Sequence, residues 1–155
     1  MEINEATVLN EDILDEIKSL EKYCGVKFPE SYVEFIKYNN IGVPATAEFT
    51  VKNIGYVVDR FLGIVKEYKT SVLGCYDIAV VLSQIETRLS DNPDERGNRL
   101  IPIAILFAGD FVCIDYRKDA LNPSICIWDH EASDEFAPAT IFVADSFDEF
   151  IKMLV

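Results

Sequence analysis

Eight consecutive residues, Leu100-Ile-Pro-Ile-Ala-Ile-Leu-Phe107, contain no polar side chain. Ile101, Ile103, Ile105 and Phe107 alternate with Pro102, Ala104 and Leu106, so an extended segment here is apolar on both faces and has to be covered on both sides. Pro102 has no N–H to donate, which makes an interior ladder position awkward. Ala108-Gly109 supplies a tight turn into a second strand, Phe111 to Tyr116, and Asn122-Pro123 opens a third, Ile125 to Trp128. Thr140 to Val143 reads as a fourth. Consecutive strands joined by such short links are antiparallel, so this half of the chain is a β-meander.

The remaining pattern is mostly helical. Ile13, Leu14, Ile17, Leu20 and Cys24 recur at three and four, with Asn10 as N-cap and Glu11 and Asp12 favouring the helix dipole. Gly25 stops that helix, and Val26-Lys-Phe-Pro29 leads into a second with Pro29 in its first turn and Tyr32, Phe35 and Ile36 inward. So short a link packs the two helices together over Phe28. Glu48 to Val51 and Phe61 to Val65 suit strands, with Asn53-Ile-Gly55 as a turn between them. Ile78, Val81, Leu82, Ile85 and Leu89 form one stripe of a middle helix, and Ser90 to Gly97 is a polar loop, the segment expected to be most mobile. Ser146-Phe-Asp-Glu149 fits a capping box that starts a last helix with Phe147, Phe150, Ile151 and Leu154 inward. The expectation is one α+β domain over residues 1–155: an antiparallel meander sheet, two N-terminal helices, a middle helix and a C-terminal helix.

Lys and Arg total 14 against 27 Asp and Glu, a formal net charge of −13. Phosphate neutralisation needs clustered cations, so a nucleic-acid partner is not expected; an anionic membrane would be repelled and a basic protein attracted. The ends carry the surplus: residues 1–40 hold 9 acids and 4 bases, and residues 110–155 hold 10 and 3. No signal-like leader and no run of about 18 apolar residues is present, so a cytoplasmic location is expected. Cys24, Cys75, Cys113 and Cys126 are widely spaced without a Cys-x-x-Cys pair and read as reduced thiols, mostly in the core.

His130, the only histidine, lies in Trp128-Asp129-His130-Glu131. Flanking carboxylates could tune an imidazole, but alternation along a strand puts Asp129 and Glu131 on one side and Trp128 and His130 on the other. That parity argues for a structural role or a partner contact over catalysis. There is no Gly-x-Ser-x-Gly elbow, phosphate-cradling glycine loop or metal-ligand spacing, so neither enzyme activity nor a cofactor or metal is expected. Asp110, Asp115, Asp119, Asp129, Glu131, Asp134 and Glu135 fall on turns and strand ends of the meander, where they can form a negative patch.

Several pieces, in order, resemble the SUKH superfamily, which includes the fungal Smi/Knr cell-wall assembly regulators and many bacterial immunity proteins. They are Gly25-Val-Lys-Phe-Pro-Glu-Ser-Tyr-Val-Glu-Phe-Ile36 followed by Asn39 and Gly42, Leu100-Ile-Pro-Ile-Ala104, Gly109-Asp-Phe-Val-Cys-Ile-Asp115, Ile125-Cys-Ile-Trp-Asp-His-Glu131, and Ala144-Asp-Ser-Phe-Asp-Glu-Phe-Ile151. The resemblance implies a non-catalytic binding domain, and for bacterial members an immunity protein that neutralises a cognate toxin, often a nuclease. A basic nuclease surface would meet an acidic inhibitor favourably. The candidate partner contacts are Asp110, Asp115, Asp129 and Glu131, with Glu48 and Asp59. The alternative is a scaffold or signalling module that binds other cellular proteins, and exposed meander edges leave a homodimer open.

Overall fold

The doubly apolar run becomes the inner strand that its pattern demands. In the computed structural model, which describes residues 1–9, 13–94 and 99–155, strand β5 (Leu100–Leu106) is buried on both faces from Leu100 to Ala104. It lies inside a six-stranded antiparallel sheet of order β3-β4-β5-β6-β7-β8, comprising β3 (Glu48–Val51), β4 (Ile54–Phe61), β6 (Phe111–Asp115), β7 (Ser124–Asp134) and β8 (Ala137–Ala144). Pro102 is accommodated by a bulge. The β5–β6 register passes from Pro102↔Cys113 to Ala104↔Val112, which leaves Ile103 over and spares the ladder a missing donor. The Ile103 carbonyl instead accepts the Leu62 N–H at 2.8 Å.

Cross-strand partners share a face, so the register defines two sheet surfaces. One carries Cys113, Cys126 and Phe142 in a row, beside Phe111, Trp128 and Thr140; the other carries Ala104, Val112, Ile127 and Ile141. Helix α3 (Ile78–Leu89) packs against β5 and β8, with the Arg88 guanidinium 5.1 Å from the Trp128 ring centre. The opposite surface receives α1 (Ile13–Cys24), α2 (Glu30–Asn39) and α4 (Phe147–Met153). An aromatic chain joins the last two to the sheet: Phe147 meets Tyr32 and Phe35 edge-on at 5.2 Å, Phe35 meets Phe61 at 4.8 Å, and Phe150 meets Phe49 at 5.4 Å. Phe28 packs on Tyr32 at the α1–α2 junction.

Helix starts follow their capping chemistry. The Asp77 carboxylate accepts the Val80 N–H at 3.0 Å to open α3, and its second oxygen accepts the Val65 N–H at 2.9 Å. Ser146 Oγ accepts the Glu149 N–H at 3.2 Å, while the Glu149 carboxylate pairs with Lys152 rather than completing the capping box. The expected cap at Asn10, with Glu11 and Asp12, lies outside the described residues, as do residues 95–97 of the polar loop.

Three features depart from the sequence reading. Strands β1 (Ile3–Asn4) and β2 (Val43–Pro44) form a separate two-stranded pair, too short to leave a period. The turn after β3 is Lys52-Asn53, both at positive φ (49° and 66°) as a two-residue hairpin requires, and Gly55 lies within β4 opposite Thr50. The segment expected to be a strand at Phe61 to Val65 therefore belongs to β4 only at Phe61. Beyond it Leu62 and Gly63 donate to the Ile103 and Tyr76 carbonyls, and then side chains pin the chain: Ile64 N–H donates to Asn40 Oδ1 at 2.8 Å and Val65 N–H to Asp77.

Candidate partner-binding surface

The β5–β6 turn fixes Asp110. Leu106 N–H donates to the Asp110 carbonyl at 2.8 Å and Gly109 N–H to the Leu106 carbonyl at 3.0 Å, with Ala108 and Gly109 at φ 83° and 94°. This holds the Asp110 carboxylate against β7, where one oxygen accepts the His130 backbone N–H at 3.0 Å and lies 2.6 Å from His130 Nδ1. Arg88 closes the other side, donating to the His130 carbonyl at 2.7 Å while lying over Trp128, whose ring stacks on Phe111 at 6.2 Å. His130 is thus a clasp between the β5–β6 turn, β7 and the end of α3.

Simple strand parity fails beyond Asp129. The β7–β8 register runs regularly from Trp128↔Thr140 to Asp129↔Ala139, then jumps to Asp134↔Ala137. Within the irregularity one Asp129 oxygen accepts the N–H groups of Glu131 and Ala132, at 3.0 and 2.9 Å, and Ser133 Oγ donates to the Asp129 carbonyl. The carboxylate that parity placed beside Glu131 is folded into a local turn of its own.

Asp115 is occupied too. Arg117 donates to it from Nε at 2.9 Å, from Nη2 at 2.8 Å and from the backbone N–H at 3.0 Å, and Nη2 also reaches Thr140 Oγ1. Burial pushes the Asp115 carboxyl up, but the hydrogen bonds and charge of Arg117 outweigh it and hold the group below its ordinary value. Strand β6 separates Asp115 from Asp110 by roughly 16 Å, so these two do not share a cluster.

The other three candidates are exposed, and among the described residues none of them has a cationic partner. Glu48 sits on β3 opposite Val57; Asp59 is the extra residue where the β4–β5 register shifts; Glu131 lies at the β7 irregularity. The fold therefore brings Glu48 and Asp59 to one corner of the sheet, at the end where the Asp110 turn lies. Tyr56, on the opposite face of that corner, senses two of the other acids: partial burial first, then the Asp110 and Asp129 charges, raise its hydroxyl above the ordinary value. Sequence reasoning missed Tyr56, Arg88 and Phe107. Phe107 was counted as an inward residue, yet it is 79% exposed; the turn residues right after it were the available signal.

Cys24, Cys113 and Cys126 are buried, and Cys75 is exposed. Among the described residues no helix is long and apolar enough to cross a membrane.

A curled antiparallel meander with helices on both faces, four α-helices among the described residues, makes an α+β domain. Residues 14–151 match the family model described as SMI1-KNR4 cell-wall (SUKH_6), nearly the whole chain, and the chain belongs to that family. Comparison with curated proteins and with solved structures gives no match.

Proposed function

We propose that this chain is an immunity protein that binds and neutralises a cognate toxin, a nuclease domain with a basic surface, in the cytoplasm. The observation that carries the reading is the uncompensated acid: a SUKH domain of net charge −13 displays Glu48, Asp59 and Glu131 without cationic partners among the described residues. A nuclease gathers cations to hold phosphate. An acidic domain matches that potential, associates faster through steering, and covers the substrate path. Glu48, Asp59 and Glu131 make the outward contacts, Asp110 and Asp129 add to the field from partly buried positions, and Asp115 contributes least because Arg117 neutralises it.

Co-expression with a candidate toxin domain taken from a neighbouring gene tests the reading: growth is restored and a one-to-one complex co-purifies. Restored growth without a complex would overturn direct neutralisation. The cell-wall description of the matching family favours a second reading, a non-catalytic scaffold for other cellular proteins, and a stable complex with a housekeeping protein but none with the toxin domain would select it.

A further inference from the structure

Phe107 shares a row with Val57 and Glu48. The register pairs Glu48 with Val57 and Val58 with Leu106, so the next position places Val57 beside Phe107 on the same sheet face, locked by Phe107 N–H donating to the Val57 carbonyl at 2.9 Å. Three adjacent strands thereby present one line, Glu48–Val57–Phe107, with Val57 and Phe107 41% and 79% exposed. Ile105 and Phe111, half-buried on that face, extend its apolar part, and Thr50 and Gly55 leave a low floor on its other side. Nothing lies within 4 Å of where a Gly55 Cβ would stand.

An exposed aromatic on a mobile loop would be unremarked. Phe107 is different because two turn hydrogen bonds and the bond to β4 hold it in place, so little conformational entropy is lost when it is covered. Its surroundings are acidic. Glu48 and Asp59 flank Val57, and of the two cations on the β3–β4 hairpin, Arg60 is turned away onto Glu5 at 2.6 Å and Lys52 sits at the tip. A central aromatic anchor inside a charged rim is the anatomy of an interface hot spot.

We propose that Phe107, with Val57, is the anchor of the toxin interface, inserting into an apolar recess of the toxin domain that is framed by Lys or Arg side chains opposing Glu48 and Asp59. This rests on the toxin-neutralising reading and gives it a surface. Charge selects the occupant: a second copy would set Glu48 and Asp59 against their own kind on a chain of net charge −13, whereas a basic partner gains from them.

The test measures binding kinetics of the full chain against a catalytically silenced candidate toxin domain taken from a neighbouring gene. Phe107→Ser weakens the complex by roughly 30-fold or more, chiefly through faster dissociation. Gly55→Gln, which the folded chain accommodates in open space, weakens it comparably by raising the floor. Glu48→Gln with Asp59→Asn slows association at about 0.01 M ionic strength and has little effect on it near 0.15 M. Leu121→Ser and Val72→Ser, which remove residues 90% and 92% exposed elsewhere, leave binding unchanged, and all variants keep the wild-type melting curve. Wild-type affinity in both Phe107→Ser and Gly55→Gln would overturn the anchor while leaving toxin neutralisation standing. Absence of wild-type binding would overturn both, and a wild-type dimer that Phe107→Ser makes monomeric would assign the patch to a second copy instead.

Discussion

Replacing Asn40 with alanine dismantles the junction that ties the N-terminal segment, the end of α2 and the strand-exit segment after β4. Asn40 is 2% exposed, and its amide donates to Thr7 Oγ1 at 3.0 Å and to the Ile64 carbonyl at 2.9 Å while accepting the Ile64 N–H at 2.8 Å. Three lost hydrogen bonds at about 1 kcal/mol each, plus the desolvation penalty of an orphaned Ile64 N–H, give a cost of about 4 kcal/mol. For a chain of this size that lowers the melting temperature by roughly 10 °C. Gly63 supplies an internal check, because an added Cβ would stand 1.9 Å from Asn40 Oδ1 and 3.1 Å from Ile41 Cγ2. Gly63→Ala alone must expel the Asn40 side chain and so loses many of the same bonds. The double variant then costs less than the sum of the singles by about 1 to 3 kcal/mol. Urea unfolding followed by the fluorescence of Trp128, the single tryptophan, measures all three. A cost below about 1 kcal/mol for Asn40→Ala, or additivity within about 0.5 kcal/mol, would show that Asn40 does not hold this junction together.

Tyr32→Phe raises stability by about 1 kcal/mol, because the hydroxyl is fully buried and has no hydrogen-bond partner among the described residues, while the ring contacts to Phe28 and Phe147 remain; a lower urea midpoint would contradict this. In native protein one thiol of four, Cys75, reacts rapidly with an alkylating reagent, since Cys24, Cys113 and Cys126 are buried and burial raises the last two thiols well above the ordinary value; mass spectrometry counts the adducts, and rapid labelling of Cys113 or Cys126 would show that the sheet interior opens. The Asp115 carboxyl is held below its ordinary value, so its contribution to stability is complete above the unfolded-state value of about 3.9 and is lost as pH falls through the lower folded-state value. The gap in urea midpoint between wild type and Asp115→Asn is therefore constant near neutral pH and closes below about pH 4; a gap that closes at higher pH would contradict the assignment.

Regular, long-period features were legible in the sequence. The alternation from Ile101 to Leu106, the stripe of α3 and the serine that opens α4 each follow from local chemistry, and even the awkwardness of Pro102 had a physical resolution, the bulge at Ile103. What escaped depends on partners distant in sequence. The strand after this turn was placed too late, at Phe61 to Val65, because Asn53-Ile-Gly55 looked like the turn, whereas the turn is made by Lys52 and Asn53 at positive φ and β4 starts at Ile54. In segment 62–65, Leu62 and Gly63 bond to the Ile103 and Tyr76 carbonyls and Ile64 and Val65 to the side chains of Asn40 and Asp77, restraints that leave no period. The acids were legible as charge but not as bonding partners. Asp110 meets His130 across 20 residues, and Asp129 satisfies backbone groups inside an irregularity that breaks the parity used to place it. Phe107 shows the same limit from the other side: alternation assigned it a face, and only the end of the covering layer shows that this face is open.

The proposed neutralisation of a toxin by this acidic SUKH domain is checked by titrating a silenced candidate toxin domain with the purified protein across a salt series. The expected result is a one-to-one complex whose association rate falls steeply as ionic strength rises from about 0.01 M to about 0.15 M, while dissociation changes little. A complex whose association rate is indifferent to salt, or no complex at all, would contradict it.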